Sequence, residues 1–401
     1  MIRSELNYLH NAIKNEIYLD TRFNSLIDNS KIKISKGLPK FQSRLNAYNL
    51  YGDFYLILDF LISKCYYFFT FFFFCLVFLK SFLSIFFSRH KNIECKHLFF
   101  INSPVSAGLA KNFISSEKID LRECAFFIIN IDLRKYLEKD CNYFDSFEII
   151  SYKSLISSFY LSIRAFFLFK GQFRVYNFLY LRWLTQLETL KNISYRYFHS
   201  FDHYDRYAIL ADSQIYFKSQ GSVEYFLHQH GKFNSIDTEF TLPYKLKNIS
   251  SLVLFDNNSS LLFLQKNVFD TECIVNDIIL NNNHFVTVKN FNEKRFKVFI
   301  IGNLACYQLH NRLVKSLESN SNIIFYYKPH PSNLVYIDNF KNCINIKDVQ
   351  YFPDVDVVVS YDSTLLDEYT KFGYFCIRHS LDETNELNII NNLNKFYNDC
   401  Q

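Results

Sequence analysis

From Lys96 onward the chain alternates short apolar runs with longer amphipathic stretches, and this rhythm constrains the fold more than any other feature. Runs rich in β-branched and aromatic residues that end on small or polar ones read as strands buried on both faces. The first series of predicted strands lies at residues 97–101, 125–129, 147–150, 207–210, 223–227 and 252–255. The second lies at 298–301, 323–327, 343–346, 355–360 and 374–377. The segments between them carry helical periodicity, as in 308–317, where Leu309, Leu313, Val314 and Leu317 share one face. Strands alternating with helices predict an α/β chain with parallel sheets. At roughly 100–200 residues per domain, 401 residues accommodate two doubly wound, Rossmann-like domains facing a cleft. The expected bounds are 96–280 and 295–401, joined by an Asn-rich linker at 281–294 and preceded by a basic, apolar helical segment at 1–95.

Composition narrows the class. Hydrophobic residues make up 49% and charged residues 21%, which excludes wholesale disorder and a polytopic membrane protein. The 46 Phe and 29 Tyr read as compositional background. Ten cysteines without a CxxC pair read as reduced thiols in a cytosolic compartment, so neither a metal site nor a disulfide framework is expected. The first forty residues, polar and mixed in charge, carry no secretory leader pattern.

Charge is uneven along the chain. Residues 1–100 hold thirteen Lys or Arg against seven Asp or Glu, and the remainder is close to neutral. A local basic excess beside an apolar block points to an anionic membrane surface as partner and away from nucleic acid. That block runs from 54 to 87, and its longest uncharged stretch is the fifteen residues between Lys64 and Lys80. A span needs about 20 residues. The length therefore fits an in-plane membrane helix or an internal helix better than a short tilted span with snorkelling lysines. The expected location is cytoplasmic and peripheral at the inner membrane.

Three runs could carry chemistry. Lys328, Pro329, His330 and Pro331 follow a predicted strand, at the edge where open α/β sheets bind ligands. The two prolines stiffen the turn and would hold Lys328 and His330 outward, toward a leaving phosphate; an ordinary Pro-rich turn is the alternative. After the strand at 355–360, Ser363 and Thr364 open a helix that ends at Gly373, with Glu368 in its first turns. Its free amides and two hydroxyls suit a nucleotide phosphate, although many helices carry such a cap for stability alone. His228, Gln229, His230 and Gly231 end the predicted strand at 223–227. Two histidines two apart could begin a metal site, but no third ligand is identifiable. A histidine beside Gly231 could instead act as general base for an acceptor hydroxyl.

Two further groups are weaker. Asp354 and Asp356 form a DxD string, but at the amino end of their strand, and read as a strand-start turn. Asp202 to Arg206 precede the predicted strand at 207–210, where Asp205 and Arg206 either contact an acceptor or cap the strand.

Taken in order, Gln229–His230–Gly231, then His330–Pro331, then Ser363–Thr364 resemble the motifs of GT-B-fold glycosyltransferases of bacterial surface-polysaccharide assembly. These include HP-motif sialyltransferases and, with a His-Gly in first position, CDP-glycerol glycerophosphotransferases. The segment 202–212 is also similar to uncharacterised O-antigen and capsule transferases, and the resemblance covers about 198–373. It implies His230 as catalytic base, with Lys328, His330, Pro331, Ser363, Thr364 and Glu368 around the donor nucleotide. His228, Gly231, Asp205 and Arg206 would then line the acceptor side. The expected reaction is a metal-independent, inverting transfer from a nucleotide-sugar donor, a substrate and not a cofactor, to a glycan acceptor in lipopolysaccharide O-antigen or capsule biosynthesis; the expected membrane location makes that acceptor a lipid-linked glycan. The sialyltransferases use an acidic base where this chain has His230. Glycerol-phosphate or ribitol-phosphate transfer from a CDP-linked donor is therefore the competing expectation, and a non-catalytic membrane-associated scaffold is the third.

Overall fold

The computed structural model describes residues 4–28, 71–72, 74–83, 85, 93–138, 140–218, 223–229, 231, 240–255, 259–280, 288–289, 293–303, 305–330, 336–337, 340–348, 351–380 and 386–399. The described residues form two compact units, the first of 4–21 and 71–280 and the second of 288–399 together with 22–28.

Unit 1 opens with α1 (Ser4–Asp28) and β1 (His97–Ile101), followed by α2 (Pro104–Ser116), β2 (Cys124–Ile128) and β3 (Asn142–Phe144). Next come α3 (Tyr152–Leu168), α4 (Tyr180–Lys191), β4 (Tyr197–Ser200), α5 (Arg206–Phe217) and β5 (Glu224–His228). The unit ends with β6 (Ser251–Leu254), α6 (Ser259–Asn267) and β7 (Asp277–Leu280). The seven strands lie in the order β3-β2-β1-β4-β5-β6-β7, every neighbouring pair parallel. This is the doubly wound order with one strand added.

The core follows from the sequence of the central strands. HLFFI in β1 and CAFFI in β2 carry large apolar side chains on both faces, and Phe99, Phe100, Phe126 and Phe127 are all buried. At roughly 25 cal/mol per Å², aromatic rings of this size supply much of the driving force. The polar opening of the chain conceals a core helix: Leu6, Leu9, Ala12 and Ile13 of α1 are buried in this same cluster at helical spacing.

Two predicted strands of unit 1 are helical instead. Residues 147–149 belong to a helical turn, Ser146–Ile149, and the edge strand is the preceding β3. Residues 207–210 lie inside α5, and the strand is Tyr197–Ser200. The reason in the second case is a cap. Asp205 accepts hydrogen bonds from the Tyr207 and Ala208 amides at 2.8 and 3.2 Å, which fixes a helix start before an apolar run that contains good helix formers. The other predicted strands of both units are present, with ends shifted by a residue or two.

Unit 2 contains β8 (Val288–Lys289), β9 (Phe296–Ile301), α7 (Tyr307–Ser316), β10 (Ile323–Lys328), β11 (Cys343–Asn345) and β12 (Phe352–Pro353). It continues with β13 (Val357–Tyr361), α8 (Thr364–Lys371), β14 (Phe375–His379) and α9 (Glu386–Asp399). Its main sheet is parallel with the order β11-β10-β9-β13-β14, and β12 pairs with β8 apart from it. Val298 to Ile301, Val357 to Val359 and the apolar faces of α7 and α8 fill a second, separate core. The two Rossmann-like units expected from the sequence are both present.

Within the apolar block at 54–87, residues 71–72, 74–83 and 85 are helical, and 54–70, 73, 84 and 86–87 lie outside the described residues. Among the described residues, no helix is long and apolar enough to cross a membrane.

Candidate functional site

In a doubly wound sheet, ligands bind beyond the carboxyl ends of the strands at the point where strand order reverses, because the two flanking loops part there. Unit 1 reverses between β1 and β4, and unit 2 between β9 and β13. Both points carry polar groups.

In unit 1 the crevice is lined by the residues that directly follow β1 and β4. Asn102 donates its side-chain amide to both carboxylate oxygens of Asp202, at 2.6 and 2.7 Å. Ser103 caps α2 by accepting from the Ser106 amide at 3.1 Å, while Ser106 Oγ accepts from the Ser103 amide at 3.0 Å, a reciprocal capping box. Asp202 is buried, and burial together with the nearby Asp205 carboxylate holds its carboxyl well above the usual range. Asp205 is occupied as the α5 cap, and Arg206 pairs with Glu16 of α1 at 3.1 Å. The correction to β4 and α5 changes the meaning of this cluster. It follows a strand and so belongs to the ligand-binding edge; the sequence reading had it preceding one. Asp202 is the residue that sequence reasoning undervalued, and the Asp205 cap was the signal that could have placed it.

His228 is the last residue of β5 and is buried. Its Nε2 lies 3.0 Å from His199 Nδ1, and His199 Nε2 lies 3.1 Å from His97 Nδ1. The strand registers make this a diagonal ladder across β1, β4 and β5, rising toward the carboxyl edge. Phe113 of α2 covers it, edge-on to His228 with centroids 4.6 Å apart. Burial pulls His228 down to about 3 and His97 to about 4, and holds His199 well below its ordinary value. His228 is therefore neutral and engaged with a strand neighbour. Gly231 accepts from Gln229 Nε2 at 3.0 Å, and Gln229 Nε2 also reaches Ser260 Oγ at 2.8 Å, which pins the loop after β5. His230 lies outside the described residues.

In unit 2 the loop after β9 begins with Gly302. A Cβ at this position would sit 2.3 Å from the hydroxyl of Tyr327, a buried residue of β10, so backbone and ring approach as only glycine allows. Across the reversal, Ser363 caps α8 by accepting from the Leu366 amide at 3.2 Å, and its hydroxyl is 3.1 Å from Ser360 Oγ. Thr364 is the first helical residue, half-buried. Asp362 and Asp367 both pair with Arg378 of β14. Glu368 is buried on the inner face of α8, its carboxylate 4.0 Å from Lys371.

Lys328 departs from the expected outward pose. It is buried, donating to the carbonyls of Asp348 and Tyr351 at 2.7 and 2.9 Å with its ammonium over the Phe352 ring. Burial lowers its pKa to about 8. β10 alternates side chains between two packed faces, and its final position still lies within the layer. His330, two residues beyond, is half-buried, and Pro331 lies outside the described residues. Asp354 and Asp356 hold the start of β13, accepting from the Tyr374 hydroxyl at 2.8 Å and the Lys297 amide at 2.6 Å.

One cluster escaped sequence reading altogether. Cys306, His310 and His379 place one ligand atom each within 4.8 Å of one another, a set that could hold a metal ion. Their present geometry is a chain of hydrogen bonds: Sγ to His310 Nδ1 at 3.9 Å, His310 Nε2 to His379 Nε2 at 2.9 Å, and His379 Nδ1 to the Ser380 carbonyl at 2.8 Å. Burial pushes the Cys306 thiol up to about 12 and holds His310 well below its ordinary value, so these two groups are neutral. The spacing Cys306-x₃-His310 was the available signal; its partner lies 69 residues further on.

No protein-family model and no curated protein matches the chain. Among solved structures it is similar to the wall teichoic acid polymerase TagF, at 11% identity over 74% of this chain and 72% of that one, with a TM-score of 0.38. MurG of Acinetobacter baumannii is 9% identical over 75% of this chain and 90% of its own, TM-score 0.35. The lipopolysaccharide outer core galactosyltransferase WaaB is 11% identical over 71% and 80%, TM-score 0.35.

Proposed function

We propose that the protein is a GT-B-type glycosyltransferase of bacterial surface-glycan assembly that uses a nucleotide-sugar donor. The observation that carries this reading is the N-terminus of α8, with Ser363 and Thr364, standing at the strand-order reversal of unit 2. Helix amides and hydroxyls at such a point are what a nucleotide phosphate requires.

In this reading unit 2 holds the donor. His330 and the two hydroxyls contact the phosphate, and Lys328 contributes positive charge from beneath while tying down the carbonyls of Asp348 and Tyr351. Unit 1 supplies the acceptor side. His230 takes the proton of the acceptor hydroxyl, whose oxygen attacks the anomeric carbon as the bond to the phosphate oxygen breaks, inverting that centre. In the same reading Asp202, held by Asn102, accepts a hydrogen bond from an acceptor hydroxyl. Negative charge develops on the leaving phosphate, where each preorganised donor contributes about 2–4 kcal/mol. No step requires a metal, so activity should survive EDTA. The protein works from the cytoplasmic face of a membrane on a lipid-linked glycan.

The test is donor turnover by the purified protein across UDP-, GDP-, CMP- and CDP-linked donors. His330→Ala should lower turnover by roughly 10²-fold or more, and an unchanged rate would remove the phosphate assignment. Preference for CDP-glycerol or CDP-ribitol would move the reaction to glycerophosphate-type transfer on the same scaffold.

A further inference from the structure

Unit 1 carries a surface that its sheet and its crevice do not explain. The helical residues 71–72, 74–83 and 85 and α3 lie side by side and antiparallel, with Phe78 against Phe159 at 4.0 Å between centroids and Phe71 against Phe166 at 6.0 Å. Each helix buries one face: Phe74 and Ile85 on the first, Leu155, Leu161 and Ala165 on α3. A surface helix ordinarily turns polar residues outward. Here Phe72, Leu76 and Leu79 form an outward row on one helix and Ile156, Tyr160 and Phe167 on the other, each 49–66% exposed.

Charge singles out what covers this face. The segments 71–85 and 151–170 contain Lys80, Lys153, Arg164 and Lys170 and no Asp or Glu, and all four cations are exposed. Apolar rows on helices whose only charged side chains are cations match a bilayer whose headgroups are anionic: the rows enter the acyl boundary and the long basic side chains reach the phosphates. A protein partner or a second copy would give no reason to exclude acidic residues from both helices. We propose that these two helices together form the surface by which unit 1 lies on an anionic phospholipid bilayer, with α3 contributing as much as the apolar block at 54–87. This deepens the membrane part of the proposed function and does not depend on its chemistry.

The experiment is co-sedimentation of the full chain with vesicles of phosphatidylcholine alone or mixed with phosphatidylglycerol. The wild type is expected to sediment with the anionic vesicles and to release as salt rises. The triple variant Ile156→Ser, Tyr160→Ser, Phe167→Ser changes only exposed positions of α3 and should bind at least tenfold more weakly. Amide hydrogen exchange on the wild type gives an answer free of any variant: α3 should gain protection when anionic vesicles are added. Triple-variant binding equal to wild type, or no protection of α3 in sedimenting protein, overturns the role of this surface and leaves membrane attachment elsewhere standing. Wild type that ignores every vesicle overturns both. A wild-type dimer that the triple variant turns monomeric, with no vesicle binding, reassigns the face to self-association and overturns the proposal.

Discussion

Asn102 and Asp202, one residue past β1 and two past β4, join the two loops that flank the strand-order reversal of unit 1 through a single amide that meets both carboxylate oxygens. A buried carboxyl held in this way is preorganised. It is also tuned, since burial and Asp205 push its pKa up while the Asn102 amide pulls it down.

That relationship yields the first prediction. Asp202→Asn should keep the fold and lower transfer by roughly 10²-fold. Asn102→Ala should move the acidic limb of the kcat/KM profile to higher pH, because losing the amide removes the influence that favours the ionised form. Wild-type turnover by Asp202→Asn would show that the crevice is only structural.

The histidine ladder predicts acid sensitivity. His97 and His228 have folded pKa values of about 4 and about 3, below the ordinary 6.5. Between those values and 6.5 the unfolded chain binds protons that the folded chain does not, so stability falls as pH falls through this window. Each histidine contributes a slope of at most ~1.4 kcal/mol per pH unit, less for half-buried His97. The gap between the urea midpoints at pH 7 and pH 5 should narrow in His199→Phe, which removes one of the ladder's three histidines and keeps the stacking on Phe99, while burial still holds His97 and His228 down. An undiminished pH dependence in that variant would discount the ladder.

Much of this fold was legible because parallel strands buried on both faces write themselves as apolar runs. VVVSY and IIFYYK need no context. YFHS in β4 was invisible because two of its four residues are polar and its histidine is spent on a lateral contact with its strand neighbours. The polar cluster beside it was consequently read at the wrong end of a strand. Lys328 was misjudged for a related reason: sequence gives the end of a strand, but not whether the last side chain faces the layer or the edge.

Gly302→Ala should cost about 1–3 kcal/mol, the range for overpacking a filled core, since the added methyl meets a buried tyrosine ring and not the tip of a mobile chain. Chemical denaturation measures it. A neutral result would mean that Tyr327 can withdraw.

Ser363 separates stability from binding. Ser363→Ala should lose about 1 kcal/mol with the cap. Ser363→Asp should retain the cap, and with it the denaturation midpoint, while its carboxylate repels a phosphate. Equal nucleotide affinity in Ser363→Asp and wild type would place the phosphate elsewhere.

The most direct measurement of the central claim is a calorimetric titration of CMP, CDP, UDP and GDP into the purified full chain, run in parallel on Ser363→Asp. The proposed donor site predicts that at least one nucleotide binds the wild type saturably and that the substitution weakens it tenfold or more. Saturable binding to neither protein, or equal binding to both, would contradict a nucleotide-sugar site at the reversal of unit 2.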